Sequence, residues 1–133
     1  LPAVVTGDFD GYSVVDHRLD FILVERSERA QETVLGLRVL LVHSLEKDVT
    51  NEDRSTSDII LYGHTHQPGF RVEDGLLLMN PGHMKAKADK IIEPTFGLLD
   101  VRDTNVRAAL FDMDYEVVES LELTRSENGL YRI

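Results

Sequence analysis

The sequence predicts an α/β fold in which β-strands far outnumber helices. Apolar runs bounded by glycine, proline, asparagine or aspartate recur along the chain, as is typical of strands. Several runs, such as Leu37–Val42, are almost entirely apolar, which predicts strands buried on both faces. Only Ser44–Ser57 and Ser13–Asp20 are helix candidates. We therefore expect stacked layers in which helices or a second sheet cover the buried strands.

The predicted strands follow one another along the chain: Leu1–Thr6, Phe21–Val24, Gln31–Leu35, Leu37–Val42, Asp58–Tyr62, Phe70–Val72, Leu76–Met79, Thr95–Val101, Val106–Asp112 and Tyr115–Leu123. Gly36 and Asp74-Gly75 stand between consecutive strands and predict two β-hairpins. Turns are expected at Gly7–Gly11 and at Asn80-Pro81-Gly82.

The length and composition fit one intracellular domain. The chain has 133 residues, of which we assign 1–125 to the domain and 126–133 to a loosely ordered C-terminal tail. The sequence contains no cysteine and no run of about 18 apolar residues, so we expect neither disulfides nor a membrane span. The first residues do not resemble a signal peptide, which makes the cytoplasm the expected location.

The net charge of −10, from 24 acidic and 14 basic residues, argues against nucleic acid as a partner. An acidic protein is repelled by nucleic acid phosphates unless a metal or a local basic patch reverses the field. Open strand edges would permit a homodimer.

Three apolar strands each lead into a residue that can bind a metal. Val4-Val5-Thr6-Gly7 precedes Asp8, Leu40-Leu41-Val42 precedes His43, and Ile60-Leu61-Tyr62-Gly63 precedes His64 and His66. Because strand ends in a sheet lie beside one another, these residues are expected to meet at one edge. Imidazole with carboxylate suits Zn, Mn, Fe or Co better than Ca. An aspartate between glycines is also common in ordinary turns, so Asp8 alone does not indicate a ligand.

These segments together resemble the calcineurin-like metallophosphoesterase superfamily, namely its small bacterial and archaeal phosphodiesterases and the phosphoesterase-like subunit of the eukaryotic retromer complex. Gly63–His66 matches the G-H-T-H motif, and Met79–Gly82 matches the N-P-G turn. Gly7–Asp10 resembles the G-N-x-[DH] loop, Val42–Ser44 the strand-end histidine motif, and Pro94–Asp100 the C-terminal strand.

The resemblance implies a four-layer αββα sandwich, represented here mainly by its C-terminal, β-rich part. It implies two divalent metal ions per complete site, with Mn, Zn, Fe, Co and Ni not distinguished. One ion would be bound by Asp8, His43 and His64, and the other by His66.

The same resemblance implies roles for residues around the metals. Asp10 stands where family members place the residue that assists leaving-group protonation, and His64 would act with it in catalysis. Asn80 would bind the substrate phosphate. His83, which stands where the family has a serine, could contact the phosphate in its place, and a surface position for His83 is the alternative.

The chain departs from the family pattern at several points. The opening D-x-H and G-D motifs are absent, and we expect that an N-terminal segment carrying them is missing. His43 is followed by Ser44 where H-G-H is usual, Asp8 replaces the usual asparagine, and His83 replaces the serine after N-P-G.

Two functions are consistent with these residues. The first is a metal-dependent phosphoesterase, with phosphodiesterase chemistry expected, that hydrolyses small-molecule phosphate esters with metal-activated water. The alternative is a catalytically weak or inactive scaffold of the same fold that binds partner proteins.

Overall fold

The structure is a computed structural model that describes residues 2–8, 11–15, 21–25, 29–42, 44–63, 67–82 and 93–133. The elements of this part of the chain are β1 (Pro2–Asp8), β2 (Gly11–Val15), β3 (Phe21–Glu25), β4 (Arg29–Val34), β5 (Leu37–Val42), α1 (Leu45–Asp48), α2 (Asn51–Thr56), β6 (Ile59–Leu61), β7 (Gly69–Glu73), β8 (Leu76–Asn80), β9 (Thr95–Val101), β10 (Asn105–Asp112), β11 (Val117–Ser126) and β12 (Gly129–Arg132).

The strands form two sheets. The large sheet has the order β12-β11-β10-β9-β1-β2-β3, and all its neighbouring strands are antiparallel. The small sheet has the order β4-β5-β6-β8-β7. Its three central strands, β5, β6 and β8, are parallel, while the edge strands β4 and β7 are antiparallel to their neighbours. Parallel neighbours need crossover connections, and α1 and α2 lie in the one between β5 and β6.

The main hydrophobic core lies between the two sheets. The inward-facing residues of β9 are Leu99 and Val101, which alternate with partly exposed residues. They pack in one cluster with buried side chains from both sheets, including Leu41 and Leu61 from the small sheet and Leu110 from the large one. Each fully buried leucine contributes about 2 kcal/mol of hydrophobic stabilisation.

A second cluster covers the outer face of the small sheet. Leu40, Ile60 and Leu78 are buried there and pack against Leu45 and Val49 from the α1 region. The central strands β5, β6 and β8 are therefore buried on both faces, which confirms the prediction drawn from their apolar sequences.

Capping residues fix the start of the second helix, α2. The Thr50 hydroxyl accepts a hydrogen bond from the Asp53 amide at 3.1 Å, and the Asp53 carboxylate accepts one from the Thr50 amide at 2.9 Å. This reciprocal capping box fixes the start of α2 and confirms a short helix within Ser44–Ser57. Neither helix in the described part of the chain is long and apolar enough to cross a membrane.

Both predicted hairpins are confirmed. The turn at Leu35-Gly36 has φ values of 45° and 82°, and the turn at Asp74-Gly75 has φ values of 50° and 82°. Two consecutive residues with positive φ are the mark of type I′ turns, whose twist matches that of the flanking strands. The predicted last strand is displaced, because Tyr115 lies in a turn with φ 63° and β11 begins at Val117.

Two predictions about secondary structure are wrong. Ser13–Val15 belongs to β2 rather than to a helix, while residues 16–20 lie outside the described residues. The C-terminal residues are not loosely ordered, because β12 pairs with β11 and Leu130 is completely buried in the main core. Only Leu130 of this strand is buried, and a single apolar residue is too short a signal to recognise in the sequence.

Candidate functional site

The three parallel strands of the small sheet end side by side. In the register of the sheet, Leu41 of β5 is opposite Leu61 of β6, and Leu61 is opposite Met79 of β8. Adjacent strands are about 4.8 Å apart, so the three ends span roughly 10 Å. We call this edge, at which β5, β6 and β8 end, the rim. His43 and His64 follow the ends of β5 and β6 in the sequence by one and three residues.

Strand β1 reaches this end of the sandwich from the other sheet. We expected the strand before Asp8 to lie beside the others in one sheet, and this is wrong, because β1 pairs with β9 of the large sheet. Val5 is opposite Gly97, which packs against Met79 and Pro81 at the rim. Because β1 runs antiparallel to β9, its carboxyl end lies towards Thr95, the residue at which β9 begins. Asp8 is the last residue of β1.

Asn80 holds two loops of the rim together. Its side chain is completely buried at the end of β8. The carboxamide Nδ2 donates to the Gly63 carbonyl at 3.4 Å, and Oδ1 accepts from the Gly82 amide at 2.9 Å. A buried carboxamide that bridges two segments fixes both of them, since breaking either bond would leave a buried polar group unsatisfied. The residue that ends β8 therefore positions the loop after β6.

A hydrogen bond anchors the Asn80-Pro81-Gly82 turn to the large sheet. The Thr95 hydroxyl donates to the Pro81 carbonyl at 2.7 Å, and both groups belong to buried residues. Gly82 has a φ of 88°, and a Cβ at this position would collide with the Thr95 hydroxyl. Glycine is required here for both reasons.

The predicted site residues are only partly described by the structure. Asp8 and Asn80 are placed as above. The other candidates lie outside the described residues: Asp10, His43, His64, His66 and His83. Within the described ranges, no group of three or more His, Cys, Asp or Glu residues could hold a metal ion. Metal binding by Asp8, His43, His64 and His66 stays a prediction. An imidazole and carboxylate donor set next to adjacent strand ends is of the kind that fits divalent transition metals.

A cavity of about 550 Å³ opens beside the rim, and sequence reasoning missed it. Ser44, Tyr62 and Gly63 form the side nearest the strand ends, and Lys47 of α1 and Arg71 of β7 lie farther along the lining. Tyr62 packs against the cluster on the outer face of the small sheet, so the cavity lies on that face. No sequence signal links Tyr62 with Arg71, because their proximity arises from the pairing order of the small sheet.

Tyr62 has a perturbed titration. Burial raises the pKa of its phenol above the ordinary value of 10.0, since the phenolate would lose hydration. The guanidinium of Arg71 acts in the opposite direction, and the carboxylate of Glu73 adds to the rise. The three side chains therefore share one electrostatic environment at the edge of the cavity.

The chain belongs to the calcineurin-like phosphoesterase superfamily. Residues 3–104 match the family model described as the calcineurin-like phosphoesterase superfamily domain. The phosphodiesterase MJ0936 from Methanocaldococcus jannaschii is 27% identical over 107 residues, which make up 79% of this chain and 57% of that protein. The family assignment made from the sequence motifs is confirmed.

Solved structures show the same fold. Vacuolar protein sorting 29 (Vps29) from Cryptosporidium parvum has a TM-score of 0.61 at 19% identity, over 77% of this chain and 60% of that one. A predicted phosphoesterase from Streptococcus pneumoniae has a TM-score of 0.59 at 24% identity, over 84% of this chain and 69% of that one. Vps29 from Entamoeba histolytica, solved with Zn²⁺, has a TM-score of 0.54 at 19% identity, over 73% of this chain and 60% of that one. These likenesses confirm the predicted α/β metallophosphoesterase sandwich.

The chain spans only part of the length of these proteins. It covers 57% of the M. jannaschii phosphodiesterase and 60% of the C. parvum protein.

Proposed function

We propose that the protein is a metal-dependent phosphodiesterase that hydrolyses small-molecule phosphate esters. The observation that carries this proposal is the side-by-side ending of β5, β6 and β8 in a chain of the calcineurin-like phosphoesterase superfamily. Imidazole residues follow two of these ends in the sequence. The net charge of −10 favours a small substrate over nucleic acid.

Four side chains would hold the metals in this proposal: Asp8, His43 and His64 at one ion and His66 at the other. Two divalent ions, when bound, would supply a nucleophilic water at neutral pH and neutralise charge on the phosphoryl oxygens. We propose Mn²⁺ as the first ion to test; Zn, Fe, Co and Ni are the alternatives.

The protein's own side chains would bind and protonate the substrate. Asp10 would hold a proton for the leaving oxygen, and His64 would donate a hydrogen bond to the phosphoryl group. His83 and Asn80 would bind the substrate phosphate. The bonds from Asn80 to Gly63 and Gly82 support a further role for this residue, which is to keep the loop after β6 in a fixed position.

Hydrolysis of bis(p-nitrophenyl) phosphate by the full-length protein tests this proposal. We expect turnover with added Mn²⁺ and none with EDTA. His64→Ala should lower kcat/KM by at least about 100-fold, because the variant loses a proposed metal ligand as well as a hydrogen-bond donor to the phosphoryl group. Asn128→Ala, which alters an exposed side chain at the far end of the molecule, serves as the control. A metal-loaded protein with no turnover would contradict the proposal.

The second candidate is a scaffold that binds partner proteins. It is favoured by the structural likeness to Vps29 and by exposed apolar side chains near the β10–β11 turn. Tyr115 is 80% exposed, and Val117 and Val118 are each more than half exposed. A stable partner in a pull-down, together with no bound metal by elemental analysis and no turnover, would favour the scaffold over the enzyme.

We also propose a cytoplasmic location and a homodimer formed through an open strand edge. Cell fractionation and light scattering test these two proposals directly.

A further inference from the structure

The cavity beside the rim differs in charge from the rest of the chain. Its lining includes the cationic side chains of Lys47, Arg54 and Arg71 and a single carboxylate, that of Glu46. The whole chain carries a net charge of −10. A local excess of positive charge in an acidic protein attracts anions to that position.

The neighbouring carboxylate of Glu73 forms ion pairs with two of these cations. Glu73 lies 2.8 Å from Nε of Arg71 and 3.7 Å from Nη1 of Arg54. One carboxylate cannot neutralise two guanidinium groups. A guanidinium carries five N–H donors, so an ion pair through Nε uses only a fraction of those on Arg71. The Arg71 side chain is 56% exposed and can therefore be reached by a ligand.

The rest of the lining combines apolar groups, two aromatic rings among them, with the polar side chains of Ser44 and Gln67. Leu45 and Pro68 contribute aliphatic surface, and Tyr62 contributes its phenol. Cavities of about 300–1,000 Å³ that combine apolar walls with a few convergent polar groups are the usual form of small-molecule sites. The volume of about 550 Å³ falls within this range.

The cavity lies beside the rim. Ser44 and Gly63 line it, and they are neighbours in the sequence of His43 and His64. A phosphodiester has two organic groups on one phosphorus. If the phosphorus is bound at the rim, one of these groups can extend over the outer face of the small sheet.

We propose that this cavity binds one organic group of the phosphodiester substrate and selects a group that combines a second phosphate with an aromatic ring, as a nucleotide does. The proposal rests on the proposed function, because it takes the scissile phosphate to be at the rim. Arg71 and Lys47 would bind the second phosphate, and Tyr62 and Leu45 would pack against the ring.

The gain in affinity from a second phosphate tests the proposal. Calorimetry on the full chain would compare adenosine 3′,5′-bisphosphate with adenosine 5′-monophosphate, and inorganic pyrophosphate would serve as a probe without a ring. We expect the second phosphate to tighten binding about tenfold, the scale of one charge-assisted hydrogen bond. We expect pyrophosphate to bind at least about tenfold more weakly than the bisphosphate, because it lacks the apolar contacts.

Two matched variants test whether the gain in affinity from the second phosphate arises in this cavity. Arg71→Gln should reduce the gain from the second phosphate to less than about twofold. Arg102→Gln makes the same change of charge on a side chain that is 63% exposed and paired with Asp100 at 3.2 Å, and it should leave the gain unchanged. An equal gain in both variants would overturn the assignment of the cavity. Pyrophosphate binding as tight as that of the bisphosphate would overturn the selection of a ring.

The outcome is separable from that of the proposed function. Turnover of bis(p-nitrophenyl) phosphate with no Arg71-dependent gain would reject the cavity inference and leave the phosphodiesterase standing. An Arg71-dependent gain in a protein that shows no turnover would support the cavity and reject the enzyme.

Discussion

The two ends of the sandwich connect the sheets by different means. At the rim, a side chain makes the link, because the Thr95 hydroxyl of the large sheet donates to the Pro81 carbonyl after β8. At the opposite end, two backbones meet directly, and the Leu130 amide donates to the Gly75 carbonyl at 2.8 Å. Arg125 adds a bond from its Nη2 to the Leu35 carbonyl at 2.8 Å, also at this opposite end.

The difference indicates which end is free to change. At the opposite end, the backbones of Gly75 and Gly129 approach so closely that neither residue has room for a Cβ, so these two positions serve stability and tolerate little substitution. At the rim, glycine is likewise required at Gly82, but side-chain hydrogen bonds fix the loop positions and leave other residues of these loops available to carry function. The following changes test this contrast, from the largest expected effect to the smallest.

Gly129→Ala should have the largest effect. A Cβ at this position would lie 2.5 Å from the Gly75 carbonyl oxygen and 2.7 Å from the Gly75 Cα, and the φ of 127° is strained for alanine. We expect the free energy of unfolding to fall by about 3 kcal/mol or more, measured by urea denaturation. Gly69→Ala is the matched control, because a Cβ there meets nothing within 4 Å. If both variants were equally stable, the backbone joint would not be close-packed.

Asn80→Ala should be the most costly of the changes proposed at the rim. The substitution leaves the Gly63 carbonyl and the Gly82 amide without the partner that Asn80 provides in a buried location. We expect a loss of about 2–3 kcal/mol in the free energy of unfolding. Asn128→Ala removes the same group from an exposed position and should change stability by less than about 0.5 kcal/mol. Equal effects at the two positions would show that Asn80 does not join the two loops.

Local features of the fold could be predicted from the sequence. The hairpins around Gly36 and Gly75 follow from turn chemistry that depends on two residues. The double burial of β5 and β6 follows from apolar runs that only a covered sheet can accommodate. The Asn80-Pro81-Gly82 turn was likewise predicted, because glycine and proline restrict the backbone directly.

Long-range pairing could not be predicted in the same way. The partner of β1 is decided by contacts with Gly97 and its neighbours, about ninety residues away, and an apolar strand fits either sheet. β12 is held by its pairing with β11, by the hydrogen bond to Gly75 and by a single buried side chain, that of Leu130. The cavity likewise depends on which residues the small sheet brings to Tyr62. Hydrophobic periodicity and short motifs depend on residues that are close in the sequence, so they carry no information about partners that are distant in the sequence.

Thr95→Val tests the tie across the rim itself. Valine keeps the shape of the side chain and removes the hydroxyl that donates to the Pro81 carbonyl. We expect a loss of about 1–2 kcal/mol in the free energy of unfolding, less than for Gly129→Ala because no backbone must move. Thr104→Val is the control, since the Thr104 hydroxyl bonds to Asn105 in an exposed turn. A loss as large as that of Gly129→Ala would make the two ends equivalent.

The pH dependence of stability that comes from Tyr62 should be the smallest of these effects. Tyr62 lies near the rim, and Tyr131 lies at the opposite end, so the two tyrosines allow the two ends to be compared. Burial raises the pKa of Tyr62 in the folded protein, so above about pH 10 the unfolded chain ionises first. The contribution of Tyr62 to stability is therefore present below pH 10 and is lost as the pH rises through the folded pKa. Tyr62→Phe should weaken the fall of stability in this range and remove a late component from the absorbance titration of the phenols. Tyr131→Phe, at the opposite end, should leave that late component in place. Arg71→Gln should raise the pKa of Tyr62 further, because it removes the nearby positive charge, and an unchanged pKa would place Arg71 too far away to affect the phenol.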